Sequence, residues 1–244
     1  MARHLLLDLD APLMSFGGEM VDAYGVVRDF PALSMVAGLL ANALGWERYE
    51  ADAHARLQDR LVVMGSARIA EGRRMRDFQT AQLGGNDKGW TTRGRTEGRA
   101  GGAATYNSPH IRYRDMDADA RVLVALRLDP ADETPTLDDL AAALDRPERP
   151  LFLGRKPFLP SRPLHLGSVE AETIRDALSA GLALIPQPPK IDAPVRAQWP
   201  QAEGLPDGAV EEEITDERHW PAGVHAGLRR VAIGTLPPPQ AEAA

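Results

Sequence analysis

Cysteine is absent from the 244 residues, which excludes disulfides and thiolate metal sites and points to a cytoplasmic protein. Lysine is scarce: before Lys190 there are only Lys88 and Lys156. No apolar run approaches the roughly 20 residues that span a bilayer, so no membrane association is expected. The start, MARHLLLDLDAP, is broken by Asp8 and Asp10, so it reads as a strand rather than a signal peptide. Catalytic signatures are also missing. There is no G-x-x-x-x-G-K-S/T loop, no H-E-x-x-H or H-x-H pair and no G-x-S-x-G elbow. The six histidines are scattered. A Ser–His–Asp group can still assemble across a fold, so an enzymatic reading is weakened and not removed. No cofactor and no metal are expected.

What is present is an uneven charge. The chain carries a net −7 overall, yet Arg73 to Arg114 holds nine Lys/Arg against three Asp/Glu, a net +6. A polyanion senses this local potential, because charges beyond about 8–10 Å are largely screened. Eight of the nine cations are arginine, whose planar fork suits phosphates and stacks on bases. Phe78, Trp90, Tyr106 and Tyr113 are interleaved with them as candidate base-stacking rings. The competing reading is a solvated, mobile loop. The flanks RMRDFQTAQLG and ATYNSPHIRYRDM can pair as the strands of a long hairpin, with the Gly/Arg part, which includes Arg93, Arg95 and Arg99, as its tip.

Periodicity predicts strands at His4–Asp10, Leu61–Ile69 and Arg121–Leu128, and a further strand in PLFLGRK, ending at Gly154. It predicts helices from Ser34, taken as N-cap, to Trp46, over Ala51–Arg60, and from Thr136 to the residue before Pro147. The order β-α-β-(insert)-β-α-β is the ferredoxin-like pattern, whose antiparallel sheet has helices on one face and leaves the other free to bind. The fold class is therefore α+β, with residues 1–167 as the ferredoxin-like domain, an insertion at about 75–115, and 168–244 as a small β-rich C-terminal region.

Two further stretches suggest binding. In RPLFLGRKPFLPSRPLHLG, Gly154 permits a tight turn, Arg155 and Lys156 form a phosphate clamp, and Phe152 either stacks a base or fills the core. Arg162 and His165 are weaker candidates. In PLMSFGGEMVDAYGVVRDFPALS, Arg28 precedes a helix start whose N–H groups suit a phosphate, while Phe16 and Phe30 are expected to pack beneath the loop.

Four stretches, PLMSFGG, RDFPALSMVAGLLANALG, RMRDFQTAQLG and PLFLGRKPFLPSRPLHLG, resemble in order and spacing the Cas-five family of CRISPR-associated RAMP proteins, in its type I-E form. The resemblance covers Leu5 to Gly167 well and the remainder loosely. It implies a ferredoxin-like domain with a long hairpin thumb and a small β-rich C-terminal region. It also implies a non-catalytic subunit of Cascade that caps the 5′ handle of the CRISPR RNA. The implied partners are that RNA, the backbone subunit CasC and the large subunit CasA, with target DNA nearby. By position it adds Arg76 and Arg112, on the two thumb strands, and Phe152 as RNA contacts. The RNA set is then Arg28, Arg76, Arg95, Tyr106, Arg112, Phe152, Gly154, Arg155 and Lys156, with Trp90, Arg93 and Arg99 meeting a neighbouring subunit. The alternative is a metal-independent endoribonuclease, for which Tyr106 and His110 are the best pair.

Overall fold

The leucine run near the start forms β1 (Ala2–Asp10), in which Leu5, Leu6, Leu7 and Leu9 are all fully buried. A strand buried on both faces reads as a continuous apolar run, and β1 lies inside such a sheet. The computed structural model describes residues 1–61, 63–82, 88–90, 95–98, 109–186 and 191–238. The remaining strands of the main sheet are β5 (Val63–Ala70), β10 (Arg121–Arg127), β11 (His165–Ala171), β12 (Val195–Pro200), β13 (Val210–Ile214) and β16 (Arg229–Leu236). Seven strands run in the order β11-β1-β10-β5-β12-β16-β13, every neighbour antiparallel. The C-terminal strands thus extend the same sheet as β1.

Among the described residues, four helices cover it: α1 (Leu33–Ala43), α2 (Ala51–Arg60), α3 (Leu137–Asp145) and α4 (Ile174–Leu184). On one face Leu5, Leu7 and Leu9 pack with Leu40 of α1 and Leu140 of α3. Helix α3 starts as its sequence predicts, with Thr136 and Asp139 forming a reciprocal capping box.

The opposite face is not free. Leu6, Leu123 and Ala125 pack there against Ile174 and Leu178 of α4. Gly65 makes this approach possible: a Cβ there would sit 2.2 Å from the Ile174 Cγ2. The expectation of an open sheet face for binding is therefore corrected, and any interface must lie elsewhere.

Two more expectations change. PLFLGRK forms a loop, and the sheet takes β11 instead. Pro150, Pro157, Pro160 and Pro163 cannot donate to a ladder, and Gly154 turns the chain at φ +94°. Helix α1 is capped at Ala32, not Ser34, and Ser34 is buried inside the helix. The Asp216 carboxylate, 183 residues away, accepts from Leu33 N–H at 3.0 Å, and the Asp216 carbonyl accepts from Ser34 N–H at 3.0 Å.

A second sheet stands beside the first. It contains β2 (Leu13–Met14), β3 (Gly17–Val21), β4 (Tyr24–Val27), β6 (Arg73–Ala81) and β9 (His110–Ala118). Its order is β2-β9-β4-β3, with β6 on β9. β6 and β9 pair antiparallel from Arg73↔Ala118 to Ala81↔His110. Every residue of β6 is exposed, and its charges suit an edge that must not recruit another strand. In the Gly/Arg segment, β7 (Lys88–Trp90) pairs with β8 (Thr96–Gly98). A short pair, β14 (Arg218–His219) with β15 (Val224–His225), follows near the C-terminus.

Ion pairs tie the two sheets. Asp117 of β9 meets buried Arg68 of β5 at 3.2 Å and Arg74 of β6 at 2.7 Å. Asp29 bridges Arg74 (2.9 Å) and Arg196 of β12 (3.0 Å), and Arg196 also holds Glu71 at 2.7 Å. Hydrogen bonds from Arg196 keep the Glu71 carboxyl below its ordinary range. Burial pushes Asp29 up, but its bonds to Arg196 and Arg74 outweigh that and lower it. Both folded pKa values lie below their unfolded ones, so the unfolded chain binds more protons as pH falls. This stabilisation is complete above about pH 4–5 and is lost as pH falls through the folded values. Thermal unfolding from pH 6 to about pH 3 should therefore show Arg196→Gln less stable at pH 6 and losing less than wild type on acidification. Parallel pH profiles would contradict the assignment.

Candidate nucleic-acid interface

With the main sheet covered, one concavity rich in arginine lies between the second sheet, the start of α1, the Gly154 turn and the β14–β15 pair. It has a volume of about 340 Å³. Its floor and walls include Gly17, Gly18 and Gly25 from β3 and β4, Ser34 and Met35 from α1, and Trp220. Its charged groups are Arg114 of β9, Arg155 and Arg218, with His225 beside them, and no carboxylate lines it among the described residues. A second hollow of about 340 Å³ adjoins it, sharing Ser34, Met35, Gly154 and Arg218 and adding Phe152.

Local backbone geometry sets this arrangement. Ser15 N–H donates to the Leu153 carbonyl at 3.1 Å, docking the Gly154 turn on the chain ahead of β3. A Cβ on Gly154 would lie 1.9 Å from the Ser15 carbonyl oxygen, so glycine is required by contact as well as by its positive φ. The next residue, Arg155, donates to the Asp115 carbonyl at 2.8 Å and lies 5.4 Å from the Phe158 ring centroid. Arg114 touches the Met20 sulfur at 3.4 Å. Arg218 lies 5.5 Å from the Trp220 ring centroid, and Trp220 in turn packs on His54 at 4.6 Å.

Burial, and next the neighbouring Arg114 guanidinium, lower the pKa of Arg155, while Asp77 and Asp115 offset part of this. Arginine stays charged regardless. Partly desolvated cations in one glycine-walled groove suit an anion carrying both charge and hydrogen-bond acceptors, such as a phosphodiester.

Of the residues named from sequence, Gly154 and Arg155 line this groove, Phe152 lines the adjoining hollow, and Lys156 is exposed on the same turn. Arg112 is exposed on β9, two residues from Arg114 and hence on the same face of the strand. Arg76 is engaged by the Asp115 carboxylate at 2.6 and 3.1 Å. Arg28 turns away from the groove, donating to the Glu19 carboxylate and, at 2.8 Å, to the Thr215 carbonyl. The helix start expected to take a phosphate beside it is instead filled by Asp216. Phe16 and Phe30 pack beneath, as expected. His165 pairs with Asp145 at 3.0 Å and Arg162 with Asp10 at 2.7 Å. Arg95 is exposed ahead of β8, and Trp90 contributes its backbone to β7. Arg93, Arg99 and Tyr106 lie outside the described residues.

Sequence reasoning missed Arg114, Arg218, Trp220 and His225. For Arg114 a signal existed: alternation places it beside Arg112. For the other three, only tertiary contact brings them to the groove.

Comparison with known proteins supplies the context. A chain from a structure described as a CRISPR RNA-guided surveillance complex is similar in fold, with TM-score 0.67 and 21% identity over 97% of this chain and 91% of its own. A second, described as a Cas protein, has TM-score 0.60 and 27% identity over 98% of each chain. No curated protein matches. The family profile described as CRISPR-associated protein (Cas_Cas5) matches residues 4–232. On that match over nearly its whole length, the chain belongs to the Cas5 family of CRISPR-associated proteins.

Proposed function

We propose that this chain is the non-catalytic RNA-binding subunit of a type I-E Cascade, the role filled by CasD. It caps the 5′ handle of the CRISPR RNA and anchors the backbone subunit CasC and the large subunit CasA. The groove carries this reading: Arg114, Arg155 and Arg218 converge on it without a lining carboxylate among the described residues. The family match and the fold shared with a chain of an RNA-guided surveillance complex support it. So does the strand order β11-β1-β10-β5, which we read as a ferredoxin-like sheet with the β6–β9 pair as its thumb. The mechanism is positioning. Arginines fix the phosphates, rings hold unstacked bases, and sequence readout is left to base pairing by the guide.

The test is to incubate the purified chain with labelled CRISPR repeat RNA in EDTA over a salt series. Binding should weaken steeply with salt, and the RNA should remain intact. A defined cleavage product that disappears in His110→Ala would overturn the non-catalytic role. Salt-independent or absent RNA binding would overturn the RNA-binding role.

A further inference from the structure

The face of the second sheet opposite Arg114 carries a row of rings that the groove does not use. Side chains alternate along β6 and β9, so Arg112 and Arg114 point to one face and Tyr113 to the other. Phe78 of β6 lies directly opposite Tyr113 in register. On the other side of β9, Tyr24 of β4 is paired in register with Tyr113. The two tyrosine rings are stacked, 5.0 Å between centroids and 13° between planes. Three aromatics thus stand in line across three adjacent strands, a row of roughly 10 Å at ordinary strand spacing. Phe78 is 62% exposed and Tyr24 45%. Neither is needed to fill either core, since neither belongs to the buried clusters.

The Arg76 guanidinium lies 5.4 Å from the Tyr24 centroid, held there by its bidentate bond to Asp115. That bond spends its fork on a carboxylate. Arg76 therefore serves the ring face as a fixed cation rather than serving a phosphate.

We propose that Phe78, Tyr113 and Tyr24 form a stacking platform for unpaired nucleobases of a single-stranded RNA, with Arg76 as its cationic edge. This rests on the RNA-binding reading above and assigns the bases to the face opposite the arginine groove. Exposed rings beside a fixed guanidinium favour a nucleobase as the occupant, since a base stacks on a π face and its ring acceptors suit a neighbouring cation. Ring–base stacking tolerates any base, since each presents a π face.

The test compares two single-stranded RNAs of equal length, one of uridines and one with abasic riboses, on the full chain and on Phe78→Leu/Tyr24→Leu. Leucine keeps the apolar bulk and removes the π face. Wild type should bind the base-bearing RNA roughly tenfold or more tighter than the abasic one. The double variant should lose most of that ratio while its abasic affinity and salt slope stay unchanged. A ratio preserved in the variant would overturn the platform, and so would an equal loss toward both RNAs, which marks a structural role. A variant that keeps the ratio but no longer joins other Cascade subunits would overturn it in favour of protein docking. If wild type bound neither RNA, the functional reading itself would fall. If it bound both equally, the platform alone would fall.

Discussion

Asp216→Ala is expected to destabilise the chain by about 3–5 kcal/mol, as expected for removing one partner of a buried ion pair. Asp216 is 1% exposed, and the Arg229 guanidinium meets its carboxylate at 3.1 and 2.5 Å. Alanine leaves Arg229 buried without that partner. It also takes the acceptor from Leu33 N–H at the start of α1, and loss of a cap alone costs about 0.5–2 kcal/mol. The two losses share one carboxylate and will not add in full. Asp216→Asn should recover part of the cap but not the charge. Chemical denaturation of the three proteins checks the order wild type, Asn, Ala. Equal midpoints would remove the claim that a C-terminal residue positions α1 beside the groove.

Gly154→Ala should have the largest effect on binding of any single substitution outside the arginines. The Cβ cannot be accommodated, because the atom it meets at 1.9 Å is backbone oxygen of Ser15. The left-handed conformation adds about 1–2 kcal/mol for an L side chain. The turn must shift, and Arg155 shifts with it, losing its bond to the Asp115 carbonyl. RNA affinity should fall roughly tenfold or more, with a lower melting temperature, a loss of the size that follows when positioning groups are displaced. Binding at the wild-type level would show that the turn does not place a contact.

Sequence pattern made much of the scaffold legible. The β1 leucines, the bounds of α2, the Thr136 capping box and the β6–β9 pairing all carry local signals: periodicity, cap chemistry and matching flanks. What escaped depends on contacts between distant residues. Helix α4 has an ordinary amphipathic sequence, and nothing in it states which sheet face it covers. Ser34 has the composition of an N-cap, but a carboxylate far along the chain outcompetes it. PLFLGRK has the apolar content of a strand and the prolines of a loop, and the prolines decide. In the site, Arg155 and Gly154 were legible because a glycine followed by two cations is a local signature. Arg218 was not, because its place is set by a residue distant in sequence: Gln58 of α2 bonds both its N–H and its carbonyl. For Arg76 the sequence context marks a nucleic-acid contact, and only the structure shows its guanidinium held by Asp115 beside the Tyr24 ring.

The central claim is that the arginine groove holds the phosphates of RNA. Its most direct test is the salt dependence of repeat-RNA affinity for wild type and for Arg114→Gln/Arg155→Gln, in which glutamine retains much of the side-chain packing. Each lost phosphate contact on a single strand should lower the slope of log affinity against log salt by about 0.7. The double variant should therefore show a slope shallower by about 1.4 and weaker binding at low salt. An unchanged slope with unchanged affinity would place the RNA elsewhere and contradict the account.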